Sequence, residues 1–144
     1  MLVILILLVI VAVLAAALGV RTVPQGQVWT VERFGAFTRL LQPGLNLLLP
    51  LAERVGHKMN VQEIVIDIPE QAVITRDNAA VMVDGIMYYR VLDPAKAAYG
   101  AQNLVQALTS MAMTNIRSVI GAMDLDGALS GREEINAKLL VTLD

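Results

Sequence analysis

The sequence predicts an α+β protein in which one apolar helix precedes a region of β-strands and then a region of helices. Three observations carry that reading. Residues 2–20 hold no charged or polar side chain. Between residues 27 and 91 the apolar side chains mostly alternate with period two. From Asp93 onward they recur with the helical period. Strands and helices segregated along the chain favour an α+β domain over a doubly wound sheet. These 144 residues hold one ordinary domain beside the apolar segment, so they do not make a large multidomain enzyme.

The first element is the apolar helix. Fourteen of its 19 residues are Leu, Ile or Val, with Leu2, Leu8 and Leu14 spaced along it. At 1.5 Å per residue it reaches about 28 Å, close to the thickness of a bilayer's hydrocarbon core. The branched residues alone favour insertion by roughly 4 to 8 kcal/mol. The competing reading is a cleaved signal peptide, for which Ala15, Ala16 and Ala17 offer a processing site. No Lys or Arg precedes the run, and it is long for a signal sequence, so a single membrane anchor over residues 1–21 is expected. Arg21, Arg33 and Arg39 all follow the span. The positive-inside rule then puts the N-terminus outside and the domain, residues 22–144, in the cytoplasm. Ala15 and Gly19 form a small-xxx-small pair of the kind that packs two spans, a pattern usually accidental in an Ala-rich helix end.

Pro24 and Gly26 are expected to break the helix, and residues 27–34 then read as a strand, with Trp29 and Val31 on one face and Thr30 and Glu32 on the other. Gly35 ends it. Gln42-Pro43-Gly44 is a turn signal that opens a second apolar patch, Leu45, Leu47, Leu48, Leu49 and Leu51, interrupted only by Asn46 and Pro50. The patch is too short to span a membrane. It reads either as a buried strand of the core, which the residues alone favour, or as a shallow segment dipping into the bilayer beside the anchor. Residues 58–68 form the clearest strand, with Ile64, Ile66 and Ile68 on one face, and Pro69 is expected to end it. A short strand at 72–75 and a turn at Asp77-Asn78 follow. A longer strand then covers 79–91, in which Gly85 marks a bulge.

Helices close the chain. Asp93 before Pro94 is an N-cap with a first-turn proline, and that helix ends near Gly100. Residues 103–121 form a second helix with Leu104, Leu108, Met111, Ile116, Val119 and Ile120 near one stripe. Ser130 and Glu133 form a capping box for a third, whose apolar positions are Ile135, Leu139 and Leu143.

Catalytic chemistry finds little material. There is no cysteine, which removes thiolate catalysis, disulfides and zinc-cysteine sites. The one histidine, His57, has no second imidazole and no carboxylates at a ligand spacing, so it reads as a lone surface residue. No G-x-S-x-G elbow and no phosphate-binding glycine loop is present. Asp124-Leu-Asp126-Gly127 lacks the other ligands of a calcium loop and reads as a turn between helices. The net charge of −2, with both signs mixed, gives no nucleic-acid surface. A non-enzymatic protein without cofactor or metal is expected.

Several short motifs in order carry a family resemblance. They are Pro24-Gln-Gly26, Thr30-Val-Glu-Arg-Phe-Gly35, Leu41-Gln-Pro-Gly-Leu45 with Pro50, Asp67-Ile-Pro69, and Thr75-Arg-Asp-Asn78. Tyr89-Arg-Val-Leu-Asp-Pro94 follows with Ala97-Ala-Tyr99, then Thr114 to Gly121, and Leu129-Ser130 with Arg132. Together they resemble the stomatin/slipin branch of the SPFH (band 7, prohibitin homology) superfamily, with bacterial paraslipin-type inner-membrane proteins the nearest in pattern. The resemblance implies a membrane-anchored scaffold that forms homo-oligomers and organises membrane microdomains. It also implies partners among membrane proteases, channels or NfeD-type membrane proteins, with the lipid bilayer itself as the first partner. By position it makes Leu45, Leu47, Leu48, Leu49 and Leu51 a segment laid against the bilayer, beside the anchor residues Leu2, Leu8 and Leu14. It further implies that a final part of the domain and a long charged helix normally follow, so that these residues form a partial SPFH domain. On that view the alternative to a cage-forming scaffold is an adaptor that binds a membrane protease or NfeD-type partner without assembling.

Overall fold

The structure, a computed structural model, describes the backbone of residues 1–143 and the side chains of residues 1–141. The side chain of Leu143, expected on the apolar face of the last helix, lies outside the described residues. The fold is α+β with the expected segregation of strands and helices. It resolves into two compact units, one of residues 1–63 and 90–102, the other of residues 64–89 and those from Asn103 onward.

In the first unit α1 (Leu2–Gly19) passes directly into β1 (Val20–Val23), one residue before the expected end of the apolar helix. Pro24 and Gly26 make the turn after β1, not the helix break. β2 (Gln27–Arg33), β3 (Ala36–Leu41) and β5 (Glu53–Asn60) form an antiparallel sheet in the order β3-β2-β5, while β4 (Gly44–Leu47) pairs with β1. The β2–β3 connection is only Phe34-Gly35, both at positive φ (52° and 87°), the backbone of a two-residue type I′ hairpin. Gly at the second position is what such a turn selects, and it identifies β3, a strand not read from the residues. Val23, Val31, Leu41 and Leu48 form the core of this unit, with Trp29 and Val55 against it. α2 (Pro94–Gly100) starts as expected, with the Asp93 carboxylate accepting from the Lys96 N–H at 3.1 Å.

The second unit is a two-stranded sheet of β6 (Ile64–Ile74) and β7 (Ala80–Tyr89) packed on α3 (Leu104–Gly121) and α5 (Arg132–Leu143). The single strand expected over 58–68 is in fact two: β5 ends at Asn60, whose side chain accepts the Gln62 N–H, and β6 begins at Ile64. Pro69 does not end β6. The ladder passes from Ile68 opposite Gly85 to Gln71 opposite Val83, so Pro69 and Glu70 face one residue, Asp84. A proline without an N–H is accommodated in that bulge, and the strand expected separately at 72–75 is its continuation. The bulge implied by Gly85 exists, but the extra residue is on the partner strand.

Ile66, Ile68 and Val73 of β6 meet Ala112, Ile116 and Ile120 of α3 and Ile135 of α5 in one apolar core. The buried stripe of α3 thus runs at i, i+4, i+8 through Ala112, and Met111 faces outward. Near residues 124–127 a short helix α4 (Leu125–Ser130) replaces the expected turn. The capping box does not form: the Ser130 hydroxyl donates back to the Asp126 carbonyl, and Gly131 opens α5 by accepting from the Ile135 N–H.

The two faces of β6 differ enough to be told apart by truncation. Ile66→Ala should cost about 2–5 kcal/mol, as for a buried branched side chain, whereas Val65→Ala, on the exposed face, should stay within about 0.5 kcal/mol. Urea unfolding in mild detergent checks this, and equal losses would mean the faces are reversed.

Candidate functional site

The first unit presents exposed apolar side chains on α1 and on β4 with the loop after it. Every described residue of α1 before Gly19 is exposed, including Leu2, Leu8 and Leu14. The helix is long and apolar enough to cross a membrane. β4 and the loop after it then carry Leu45 (74% exposed), Leu47 (62%), Leu49 (55%) and Leu51 (99%). A buried core strand is therefore not what these leucines form. Leu48 is the exception at 7% exposed, in the core with Val23 and Val31. The period of two explains it. Val20 pairs with Leu47 and Thr22 with Leu45, so odd-numbered leucines face away from the core and Leu48, on the other face of the strand, points into it. Leu48 thus drops out of the expected membrane-contacting group, and its role is to hold the segment down.

Two contacts fix this segment to the end of α1. The Leu48 N–H donates to the Gly19 carbonyl at 2.8 Å. A Cβ on Gly19 would lie 2.2 Å from the Leu48 carbonyl oxygen, so only glycine lets the two backbones approach. Gly19 is buried by this contact within one chain, which accounts for the small residue without any helix pairing.

A buried carboxylate holds the far end of the segment. Glu53 Oε1 accepts from Arg33 Nη2 at 2.7 Å; its Oε2 accepts from Arg39 Nη2 at 3.1 Å and from the Leu49 N–H at 3.2 Å. Arg39 also donates to the Leu47 carbonyl at 2.6 Å. Asn46 Nδ2 donates to the carbonyls of Gln42 and Gly44. Backbone groups that a strand end would leave unpaired are thus satisfied from the domain side, while the leucine side chains stay outside. The Arg33 guanidinium, followed by the Leu49 N–H, holds the Glu53 carboxyl below its ordinary range. None of Glu53, Arg33 and Arg39 was legible as a positioning residue, because the charges lie 14 and 20 residues apart and meet only through the sheet.

The opposite face of β2 is also polar and buried. Glu32 takes both Arg54 Nε and Nη2, at 3.1 and 2.9 Å, and the Tyr99 hydroxyl from α2 at 3.0 Å. The Arg54 bond, then the Tyr99 bond, lowers the Glu32 pKa. Tyr99 Oη also lies 3.1 Å from Thr30 Oγ1, which accepts the His57 N–H at 2.8 Å. His57 is exposed, its ring edge-on to Tyr99 at 5.1 Å, and its backbone belongs to the bulge opposite Thr30. Gly56 beside it leaves room for Glu32, whose Oε1 would lie 2.5 Å from a Cβ there. This arrangement is an interlocked structural pin joining β2, β5 and α2. Among the described residues no group of three or more potential metal ligands occurs.

An all-apolar exposed helix, joined through a glycine contact to exposed leucines on an α+β domain, fits a membrane-associated protein. The family model for the SPFH domain / Band 7 family matches residues 21–144. Stomatin-like protein 2, mitochondrial, of Homo sapiens is 43% identical over 118 residues, covering 82% of this chain and 33% of that protein. Stomatin-like protein stl-1 of Caenorhabditis elegans is 42% identical over 125 residues, covering 87% and 39%. An uncharacterised protein of Mycobacterium bovis, Mb1524, is 36% identical over 143 residues, covering 99% and 38%. The chain belongs to the SPFH/band 7 family, with stomatin-like proteins among its relatives. It spans about a third to two-fifths of the length of these relatives.

Glu53 and Glu32 have lowered pKa values in the folded chain, so the stability they add is complete above the ordinary glutamate range. It is lost as pH falls through the lowered values. Glu53→Gln should reduce Tm at pH 7 by several degrees and flatten the further decline between pH 5 and pH 3. Circular dichroism melts across that range decide it; parallel curves for wild type and variant would show that Glu53 carries no such linkage.

Proposed function

We propose that this chain is a membrane-anchored scaffold that self-associates and organises its membrane surroundings, with membrane proteases, channels or NfeD-type membrane proteins as its clients. α1 spans the bilayer once, with the N-terminus outside and the domain on the cytoplasmic side of the cell (inner) membrane. Leu45, Leu47, Leu49 and Leu51 rest in the interface beside it. The observation that carries the reading is the joint between helix end and leucine segment. It brings exposed apolar surface from two parts of the chain to one place, where water would be a poor solvent for both. Family membership supports the scaffold role. The positive charges that follow α1 support the orientation. The catalytic class draws no support from the buried polar groups, which are consumed in structural pairs.

A scaffold of this kind has a direct physical signature. The full chain in mild detergent should run as a discrete particle several times the mass of one chain by light scattering. A strictly monomeric mass at all concentrations would contradict self-association and leave an adaptor.

A further inference from the structure

The cations near the anchor are not all spent. A groove of about 710 Å³ lies between the end of α1 and the sheet, bordered by Leu18 and Val20, by Arg21, and by Trp29, Arg54 and Lys58. Glu53, also on its wall, is engaged by Arg33 and Arg39, and Arg54 is engaged by Glu32. Arg21 and Lys58 are different: among the described residues neither has a carboxylate partner. Lys58 instead sits over the Trp29 ring, 4.4 Å from its centroid, and the indole N–H is satisfied by Gln27 Oε1 at 2.9 Å. Along the chain these two cations are 37 positions apart, and Arg21 by itself is too thin a basic cluster to mark a lipid site. The fold brings them to one groove. Arg21, exposed on β1, and Lys58, exposed on β5, both border it.

We propose that this groove binds the phosphate of an anionic phospholipid headgroup, with Arg21 and Lys58 as the charge-bearing donors and Trp29 as the interfacial wall. The inference rests on α1 spanning the bilayer. An 18-residue helix covers about 27 Å, so its end, and the groove beside it, lie at the level of the lipid phosphates. A tryptophan with one apolar face and a satisfied N–H suits that depth. Two uncompensated positive charges favour a headgroup of net negative charge over a zwitterionic one, by roughly fivefold per cation near the surface.

Trp29 is the sole tryptophan of the chain, so its emission reports on this groove alone. The full chain is placed in phosphatidylcholine nanodiscs holding a fixed fraction of phosphatidylglycerol, with bromine on the acyl chains of one lipid or the other. Brominated phosphatidylglycerol should quench Trp29 as though enriched fivefold or more over its mole fraction. Arg21→Gln with Lys58→Gln should bring the two lipids level, and Arg21→Lys with Lys58→Arg should keep most of the preference, which separates charge from loss of fold. Equal quenching in the wild-type chain, or a preference that survives the double glutamine change, would overturn the proposal. No quenching by either lipid in a chain still carried by the discs would put the groove away from the bilayer and overturn the proposal too; a chain that does not enter the discs would overturn the spanning assignment on which it rests. Inorganic phosphate added to pure phosphatidylcholine discs should leave the emission unchanged; a saturable shift would assign the groove to a soluble phosphate instead.

Discussion

The contact between Gly19 and Leu48 is the constraint from which the functional surface follows. The last residue of an apolar helix offers its carbonyl to a residue 29 positions later, at a separation that excludes any side chain on the first. From that point β1 and β4 must pair in the observed register, because Val20 is already opposite Leu47. The register decides which leucines look outward and which one enters the core. A one-residue slip would exchange them, exposing Leu48 and burying Leu47. The sheet beneath cannot set this choice by itself, since it touches the segment through Leu48 and through polar groups.

Those polar groups are the second half of the construction. Two glutamates on neighbouring strands are buried, and each is matched by arginine. Glu53 ties the leucine segment to β2 and β3, and Glu32 ties β5 and α2 to β2. A buried carboxylate without such partners would be costly, so each must keep its full set, and the geometry around it has little latitude. The result is a segment whose backbone and Leu48 are fixed from the domain side while Leu45, Leu47, Leu49 and Leu51 stay exposed. Such a surface suits contact with lipid, where rigid presentation costs no ordering entropy on binding.

Much of the architecture is readable from local signals. The uniform apolar run gives α1, the Asp93-Pro94 pair gives α2, and Asp77-Asn78 gives the β6–β7 turn. Three things are not. Pro69 reads as a strand end because its missing N–H is a local fact, whereas the bulge that absorbs it is a property of two strands together. Met111 and Ala112 cannot be ranked for burial by periodicity when both lie near the same stripe; in the fold Ala112 is buried against the sheet and Met111 is half exposed. The site itself was half legible. The leucines stand out in sequence, but Leu48 is separated from its neighbours only by strand parity, and Glu53, Arg33, Arg39 and Lys58 acquire meaning only when the sheet brings them together.

The central claim is that the leucine segment and the end of α1 form one rigid lipid-facing surface. Because the chain has no cysteine, a single nitroxide at Leu49→Cys can be read without background. Power-saturation EPR of the full chain in liposomes would compare its exposure to oxygen with its exposure to a water-soluble nickel chelate. The account predicts that oxygen dominates, as at a site within the bilayer interface, and that Gly19→Val in the same chain reverses the ratio by forcing the segment away. A nitroxide more accessible to the nickel chelate in the unaltered chain would contradict it.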